Sequence, residues 1–437
     1  MPLPAWLAQA AATRPAHPAL ETCAGILTYA DLLDRADRAA GALAARGVGP
    51  GDRVALLLCP GEAWVVAFHA CLRLGAVALP VDVRLGPAER AAQTTTATVG
   101  LEALPEGGGE PRAADLRDTH DPVAVAAVVH TSGSTGAPRP VELTYGNFAA
   151  SARGSAAVVG AAPTDRWLST LPLSHVGGLS IVVRSAIGAS TAVVRERFDA
   201  EATARELSGG GVTLVSLVPT MLARLLDAGL EHAPGLRCAL VGGGPLPHAV
   251  GDRALAAGLP VAQTYGLTEA CSQVTTSEIG DPGTAGRPLP GTAVELAEDG
   301  EIIVAGPTVA PGALERDGRL HTGDLGHLDA EGRLTVTGRR ADTIVSGGDN
   351  VAPAEVEAVL EAHPAVAEAA VHGRRDAEWG EAVVATVVLR PGQTASEREL
   401  RDHVRGRLAA FKAPKAVVFA ASLPRTPSGK LRRDALD

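Results

Sequence analysis

The feature that most constrains the fold of this chain is the regular alternation of short apolar runs with longer amphipathic segments. Residues 52–58 and 76–81 have the apolar, β-branched character of strands, and residues 62–74 between them have a helical pattern. The same alternation returns between residues 166 and 263. Strands and helices that alternate in this way build parallel sheets covered by helices. The sequence therefore predicts an α/β fold.

The second half of the chain has a different character. Short strands and glycine turns follow residue 286, which predicts a β-rich subdomain, and a break comes at residues 338–342. Beyond the break, strands are predicted at residues 367–371 and 382–389, and helices at residues 353–361 and 397–409. We therefore expect a large N-terminal domain, residues 1–338, of layered α/β subdomains plus the β-rich one. A small, mobile α+β domain, residues 339–437, would follow it.

Composition excludes several classes of protein. The chain has 437 residues, which is too long for one ordinary core, and 46% of them are hydrophobic. Its formal charge of −10 argues against a nucleic-acid surface, which needs a basic footprint. The N-terminus lacks the basic region of a cleavable signal, and charges and prolines interrupt the most apolar stretch, so neither a leader nor a membrane span is expected. The oligomeric state stays open, with a homodimer among the possibilities.

The five cysteines are widely spaced along the chain. Their spacing fits neither a zinc site nor a disulfide framework, and it favours a reducing cytoplasm. We expect them to be buried apolar thiols. The positions are Cys23, Cys59, Cys71, Cys238 and Cys271.

A cluster of glycines and hydroxyl residues, closed by a cation, follows the strand predicted at residues 123–129. Glycines let backbone N–H groups approach anionic oxygens, hydroxyls donate further hydrogen bonds, and the cation balances charge. The spacing differs from a Walker A loop. By itself such a cluster is more often a solvated turn. The candidate phosphate-binding residues are Thr131, Ser132, Gly133, Ser134, Thr135, Gly136 and Arg139.

Four further motifs follow in order along the chain. The first joins an aromatic ring, a tight turn, a hydroxyl and a carboxylate in Tyr265, Gly266, Thr268 and Glu269. The others are a carboxylate on a turn, a guanidinium at the break and a lysine near the end: Asp324, Arg339 and Lys430. Alone, each is usually a capped turn or a solvated charge. Their joint occurrence in this order is far more specific.

The ordered set resembles the adenylate-forming superfamily of acyl-CoA ligases, adenylation domains and luciferases, over essentially the whole chain. The resemblance implies ATP and Mg²⁺ as cofactors. The loop would hold the β and γ phosphates, Tyr265 would stack on adenine, and Thr268 would contact the α-phosphate. Glu269 would hold Mg²⁺, and Asp324 would accept both ribose hydroxyls beside Arg339. The backbone of Gly242, Gly243, Gly244 and Pro245 would pass along the adenine and the acyl group.

The resemblance also implies two half-reactions. Lys430 would reach the substrate carboxylate and the α-phosphate, and it is one of only three lysines, with Lys412 and Lys415. After adenylate formation the small domain would rotate about a hinge near Ala341 and admit the thiol of CoA. Gly347, Gly348 and Asn350 would line the thiol channel. Two departures bear on rate and rotation: Arg139 and Pro140 stand where the family usually has lysine and glycine, and Ala341 where Asp or Lys is frequent.

The segments around residues 171–180, 218–222, 236–245 and 263–266 resemble the branch of this superfamily that activates o-succinylbenzoate for menaquinone biosynthesis. That acid has two carboxylates, and the one that does not react needs a partner if it is buried. We nominate Arg184 for it, with His175, Thr220, Gln263 and Gly242 around the acid. Arg184 fits equally an arginine whose stem packs in the core, and His175 a structural histidine.

Two other functions remain open at this point. One is an aryl or medium-chain acyl-CoA ligase, although only 3% of residues are aromatic. The other is a non-catalytic protein that binds a nucleotide or acyl-adenylate on the same fold. The presence of Glu269, Asp324 and Lys430 argues against the second.

Overall fold

The computed structural model describes residues 1–105, 115–132, 138–346, 349–376, 379–425 and 431–436. Within these ranges it contains eleven α-helices and 25 strands, arranged in five sheets. The helices are α1 (Trp6–Thr13), α2 (Tyr29–Ala45), α3 (Glu62–Leu74), α4 (Pro87–Thr94), α5 (Tyr145–Val159), α6 (Val176–Gly188), α7 (Ala200–Ser208), α8 (Pro219–Asp227), α9 (His248–Ala256), α10 (Pro353–Glu361) and α11 (Glu397–Arg405).

The strands are mostly short. Those in the first half are β1 (Leu3–Pro4), β2 (Pro18–Thr22), β3 (Gly25–Thr28), β4 (Arg53–Leu56), β5 (Val77–Pro80), β6 (Val99–Leu101), β7 (Thr119–His120), β8 (Val125–Ser132), β9 (Pro138–Thr144), β10 (Arg166–Ser169), β11 (Thr191–Val194) and β12 (Leu214–Leu217). The remaining ones are β13 (Cys238–Val241), β14 (Val261–Leu267), β15 (Ser272–Thr276), β16 (Arg287–Pro288), β17 (Ala293–Leu296), β18 (Glu301–Ala305), β19 (Leu320–Leu328), β20 (Leu334–Arg339), β21 (Ile344–Ser346), β22 (Asp349–Val351), β23 (Val366–Asp376), β24 (Gly380–Leu389) and β25 (Ala416–Phe419).

The first large sheet has the strand order β6-β4-β5-β8-β9. Strands β4 and β5 are parallel and α3 connects them, so the predicted βαβ unit is confirmed. Every residue of α3 from Trp64 to Leu74 is buried, which explains why this helix is apolar around its whole circumference. A capping box begins α2: the Thr28 hydroxyl accepts from the Asp31 N–H, and the Asp31 carboxylate accepts from the Thr28 N–H at 3.0 Å.

The second sheet positions the candidate site. Its order is β16-β15-β14-β13-β12-β10-β11-β2-β3, and the six central strands are parallel. Strands β11, β12 and β13 are buried along their full length, as expected where helices cover both faces. In such sheets ligands bind beyond the carboxyl ends of the strands. Residues 171–175, Thr220 and the glycine run 242–244 all follow strands at that edge.

Three sheets remain, and the smallest pairs β1 with β7. Strands β17 to β20 make an antiparallel sheet with its own apolar core, and this confirms the predicted β-rich subdomain. After it, a turn at Arg340–Asp342 leads to a five-stranded sheet of β21 to β25, packed on α10 and α11. Helix α10 has the predicted bounds. The last helix was predicted to run to residue 409 but ends at Arg405, because Gly406 follows and the chain turns again at Ala410–Lys412.

The expectation of five buried thiols is partly wrong. Cys71, Cys238 and Cys271 are buried, whereas Cys23 and Cys59 are exposed, and all five are free. Cys23 lies in the turn between β2 and β3, and Cys59 follows β4, so both belong to surface connections. No helix in the described part of the chain is long and apolar enough to cross a membrane.

Candidate functional site

Tyr265, Asp324 and Arg339, which the sequence separates widely, meet in the structure. The Tyr265 hydroxyl donates to Asp324 Oδ2 at 2.8 Å, and Arg339 Nε donates to Asp324 Oδ1 at 2.8 Å. Asp324 and Arg339 are paired across strands β19 and β20, so backbone register sets their contact. We call these three residues the nucleotide cluster.

The nucleotide cluster places a buried carboxylate between a guanidinium and a phenol. Asp324 is 5% exposed, and its carboxylate is charge-paired with Arg339. Burial, with the nearby Asp324 charge, raises the pKa of the Tyr265 phenol, so this ring stays a neutral donor. A carboxylate has about four lone-pair positions, and each oxygen of Asp324 accepts one hydrogen bond from the cluster. The cluster therefore retains acceptor capacity for hydroxyl groups.

Close packing explains two of the predicted glycines. A Cβ at Gly266 would lie 1.8 Å from the backbone oxygen of Ser272 on the adjacent strand. A Cβ at Gly242 would lie 2.7 Å from Thr264 Cγ2 and 3.1 Å from its backbone oxygen. Only glycine fits at either position. Beyond Gly242, the exposed Gly243, Gly244 and Pro245 extend from the carboxyl end of β13.

Thr268 and Glu269 form a single helical turn directly after β14. The backbone oxygen of Glu269 accepts the N–H of Ala310 at 2.8 Å, which fixes the turn. No group of three His, Cys, Asp or Glu residues in the described ranges is arranged to hold a metal. Mg²⁺ usually binds one or two carboxylates together with substrate phosphates, so Glu269 suits a metal that the nucleotide also holds.

The candidate phosphate loop connects two strands of an antiparallel hairpin. Strands β8 and β9 pair with Thr131 opposite Arg139, and Arg139 is exposed. Gly133, Ser134, Thr135 and Gly136 lie outside the described residues, and of Ser132 only the backbone is described. The strand predicted at residues 123–129 is present as β8, but it begins later, at Val125, and continues to Ser132, the second residue of the loop motif.

His175 precedes α6 and lies close to an ion pair that the sequence analysis missed. Asp82 accepts from Arg84 Nε at 2.9 Å and from Arg84 Nη2 at 2.6 Å. Burial lowers the pKa of His175, with Asp82 opposing and Arg84 reinforcing that shift, so the imidazole is neutral at pH 7. The signal available in the sequence was a carboxylate placed directly after the buried strand β5.

Arg184 is buried, at 8% exposure, and lies on α6, the helix that His175 precedes. Arg184 Nη2 donates to Ser151 Oγ at 3.0 Å, and its guanidinium lies 5.6 Å from the centre of the Trp167 ring. Among the described residues it has no carboxylate partner, and its Nε has no acceptor.

Thr220 and Gln263 occupy the same edge as the glycine run. Thr220 lies in the first turn of α8, after β12, and is partly buried. The N–H of Gln263 donates to Ser277 Oγ at 2.9 Å, which holds that part of β14. Thr220 and Gly242 thus follow the neighbouring parallel strands β12 and β13, and Gln263 lies within β14, opposite Val241 at the end of β13. Arg184 lies against Trp167 of β10.

The small C-terminal module carries the remaining predictions. Lys430, Gly347 and Gly348 lie outside the described residues, and of Asn350 only the backbone in β22 is described. Leu431, the residue after Lys430, forms an isolated antiparallel bridge with Arg425. Ala341 lies in the turn Arg340–Asp342 between β20 and β21.

Comparison with known proteins gives consistent results along the whole chain. The family model for AMP-binding enzymes matches residues 7–101 and 96–314, and that for the AMP-binding enzyme C-terminal domain matches residues 355–430. A 2-succinylbenzoate–CoA ligase of Bacillus licheniformis is 40% identical, and the alignment covers 99% of each chain.

Two solved structures of o-succinylbenzoate CoA synthetase from Bacillus subtilis are similar in fold. The complex with the acyl-adenylate intermediate has a TM-score of 0.92 at 36% identity, covering 100% of this chain and 98% of that one. The complex with ATP and magnesium ion also has a TM-score of 0.92 at 36% identity, with 100% of both chains covered. The sequence motifs, the fold and these matches agree: the chain belongs to the AMP-binding enzyme family, the adenylate-forming enzymes.

Proposed function

We propose that this protein joins 2-succinylbenzoate to CoA at the expense of ATP, through an acyl-adenylate, and releases AMP and pyrophosphate. The observation that carries the proposal is the nucleotide cluster. It presents a buried carboxylate, an aromatic ring and a guanidinium beside the edge where the acid-side residues follow parallel strands. The likeness of the whole chain to 2-succinylbenzoate–CoA ligases supports the choice of acid.

In the first half-reaction, Asp324 accepts the ribose hydroxyls and Tyr265 packs on the adenine. Thr268 and the residues of the 131–139 loop donate to phosphate oxygens, and Glu269 with the nucleotide holds Mg²⁺, which neutralises phosphate charge. The succinyl carboxylate attacks the α-phosphorus and pyrophosphate leaves. Two anions approach each other in this step, so a cation that acts in the transition state is required, and we assign it to Lys430.

On the acid side, we assign the carboxylate that does not react to Arg184. The support is physical: within the described part of the chain this buried guanidinium has only a hydroxyl and an aromatic ring as partners, and such a group favours an anion nearby. His175, neutral at pH 7, is assigned to the acyl group, and Thr220, Gln263 and Gly242 to the walls of the site. The nearby charges of Asp82 and Arg84 act on the pKa of His175 in opposite directions.

In the second half-reaction, the thiolate of CoA attacks the mixed anhydride, and AMP leaves with its phosphate oxygen. We propose that residues 339–437 act as a separate mobile domain that turns near Ala341, and that Gly347, Gly348 and Asn350 line the thiol channel. The turn at Arg340–Asp342 is short and follows directly on β20, which suits a hinge. Five free cysteines support a reducing cytoplasm as the place of action.

The test is a pyrophosphate-release and thioester assay with purified protein, ATP, Mg²⁺, CoA and a panel of carboxylic acids. We expect turnover with 2-succinylbenzoate at the highest kcat/KM. Turnover with benzoates or fatty acids but not with this acid would overturn the substrate and leave an aryl or medium-chain acyl-CoA ligase. Nucleotide binding without turnover of any acid would favour a non-catalytic binding protein.

Lys430→Ala separates the two half-reactions. Adenylate formation should fall by at least about 100-fold, since a preorganised charge is removed from the transition state. Thioester formation from a supplied acyl-adenylate should stay close to wild type. Lys415→Ala, in the same module, is the control and should leave both steps unchanged. Equal loss of both steps in Lys430→Ala would contradict the role assigned to this lysine.

A further inference from the structure

Glu301, a residue that the reaction does not use directly, joins three segments next to the nucleotide cluster. It lies at the start of β18 and is 5% exposed. Its Oε1 accepts the N–H of Gly323 at 2.9 Å. Its Oε2 lies 3.2 Å from Arg340 Nη2 and 3.3 Å from His321 Nδ1. A buried carboxylate with three partners on two other segments is a junction in the structure.

The first of these contacts fixes residues 322–324, a local bend in β19 at Gly323 that presents Asp324 and that we call the Asp324 turn. The Gly323 N–H is held by Glu301, and the Thr322 hydroxyl donates to the backbone oxygen of Ile302 at 2.7 Å. That same hydroxyl accepts the N–H of Asp324 at 3.1 Å. Strand β18 therefore sets where the Asp324 carboxylate lies. It does so through two links, the backbone oxygen of Ile302 and the carboxylate of Glu301.

The second contact reaches the start of the C-terminal module. Arg339 and Arg340 are consecutive, and each pairs with a buried carboxylate: Arg339 with Asp324 and Arg340 with Glu301. Arg340 also pairs with Asp299, in the turn before β18. The residue after Arg340 is Ala341, at the proposed hinge. Two adjacent ion pairs, Arg339 with Asp324 and Arg340 with Glu301, thus connect the end of β20 to the Asp324 turn.

We propose that Glu301 is a positioning residue for ATP binding: it holds the Asp324 turn and Arg340 in one arrangement, so nucleotide affinity depends on the ion pair at the hinge. Glu301 itself touches no substrate in this scheme. The inference rests on the proposed role of Asp324 in holding the ribose, and it does not depend on which acid is activated.

Two substitutions distinguish the contacts. Glu301→Gln keeps an amide oxygen for the Gly323 N–H but loses the charge that faces Arg340 and His321. Glu301→Ala loses both. We expect the Kd for ATP to rise about 3- to 10-fold in Glu301→Gln and about 10- to 100-fold in Glu301→Ala, because charged hydrogen bonds contribute more than neutral ones. Arg340→Gln should match Glu301→Gln.

The coupling is measured with the double variant Glu301→Gln/Arg340→Gln. If both residues act through one ion pair, the double variant should bind ATP about as well as either single variant. The control is Glu295→Gln on β17 of the same sheet, where an exposed ion pair with Arg319 is lost. It should leave the Kd for ATP unchanged. KM for the acid should stay within about 2-fold of wild type throughout.

Equilibrium ATP binding, measured calorimetrically without any acid, keeps the outcomes separate. Wild-type affinity in both Glu301 variants, or fold-losses that multiply in the double variant, would overturn the inference, even if the melting temperature falls. Should Glu301→Ala not fold, Glu301→Gln, Arg340→Gln and the double variant carry the test alone. Wild-type protein that binds ATP but makes no thioester from 2-succinylbenzoate would refute the proposed substrate and leave this inference intact.

Discussion

Asp324 and Arg184 are both buried charged residues of the candidate site, but they differ in whether the protein supplies a partner of opposite charge. Asp324 is 5% exposed and has a guanidinium on one oxygen and a phenol on the other. Arg184 is 8% exposed and has a serine hydroxyl and the face of Trp167. Burial lowers the pKa of Arg184 to about 10, so it remains a cation at neutral pH.

This difference indicates at which of the two residues the charge of a bound ligand contributes to stability. Leaving a charge buried without a counter-ion costs several kcal/mol, whereas a paired charge largely recovers its desolvation penalty. The nucleotide cluster is electrostatically balanced within the protein, so under the proposed function ATP gains from its preorganised geometry. At Arg184 the balancing anion has to come from outside the described contacts. Under the proposed function, the acid's second carboxylate supplies it, and binding of the acid then stabilises the fold.

Asp324→Ala gives the largest expected effect. Removing the carboxylate deletes two charge-assisted hydrogen bonds to the ribose, so the Kd for ATP should rise about 100- to 1000-fold. The loss of stability should be small, because Arg339 is half exposed and becomes hydrated. Titration calorimetry with ATP and a thermal melt measure the two quantities.

Tyr265→Phe is the matched control for Asp324→Ala. It removes one donor from the same carboxylate and keeps the aromatic face, so the Kd for ATP should rise no more than about 10-fold. Wild-type ATP affinity in Asp324→Ala would break the comparison, since the paired carboxylate would then be purely structural.

Arg184→Met tests the other side of the comparison. Methionine fills much of the arginine's volume without its charge, so the melting temperature should hold or rise. KM for 2-succinylbenzoate should rise about 10- to 100-fold, because the bound carboxylate loses its counter-ion. An analogue without the aromatic carboxylate should be used equally by variant and wild type. Ser151→Ala, which removes the hydroxyl partner alone, is the control.

The opposite pattern would identify Arg184 as a structural residue. In that case Arg184→Met would melt at a lower temperature with an unchanged KM for the acid. The contrast with Asp324 would then concern packing only, and the second carboxylate would need another partner.

Much of the fold followed from local pattern, because hydrophobic periodicity and capping act over a few residues. Helices α3 and α10 have the predicted bounds, and Gly61 and Gly75 flank the first of them. The prediction for α11 extends too far, to residue 409, because Gly406 follows Arg405 and the chain forms a separate turn that packs Phe411 on the core of the module. The domain boundary at residue 338 stays a prediction, although a turn follows β20 there.

The site was predictable only in part. Motif order singled out Tyr265, Asp324 and Arg339, and the structure brings them together, but their hydrogen bonds depend on the register of β19 against β20. Glu301 is not predictable from local pattern because its partners lie at least 20 residues away. Asp82 pairs with Arg84 only two residues away, but its proximity to His175 depends on the tertiary fold. Periodicity marked Arg184 as unusual on an apolar helix, yet no local rule could foresee Ser151 and Trp167 as its partners.

Glu361 on α10 is the acidic counterpart of Arg184, and it yields the smallest expected effect. Its Oε1 accepts the N–H of Ala369 at 3.3 Å. Burial, reinforced by the carboxylates of Glu357 and Glu368 and opposed by that N–H and by Arg425, raises the pKa of Glu361 to about 7 from an ordinary 4.5. Since the folded pKa is the higher one, the stabilising contribution is complete below about pH 4.5 and is lost as pH rises through 7.

Glu361→Gln keeps the acceptor oxygen but cannot ionise. The free energy of unfolding of this variant should therefore equal that of wild type near pH 4.5 and exceed it at pH 8 by about 1–3 kcal/mol. This corresponds to a few degrees in the melting temperature of the C-terminal module. Thermal melts from pH 4.5 to 8 measure the difference. Glu355→Gln on the same helix, which instead loses an ion pair with Lys412, should not gain stability at pH 8. If the melting temperatures of Glu361→Gln and wild type differ by the same amount from pH 4.5 to 8, burial does not raise the pKa of Glu361. Of these two buried groups, only Arg184 would then lack a sufficient partner.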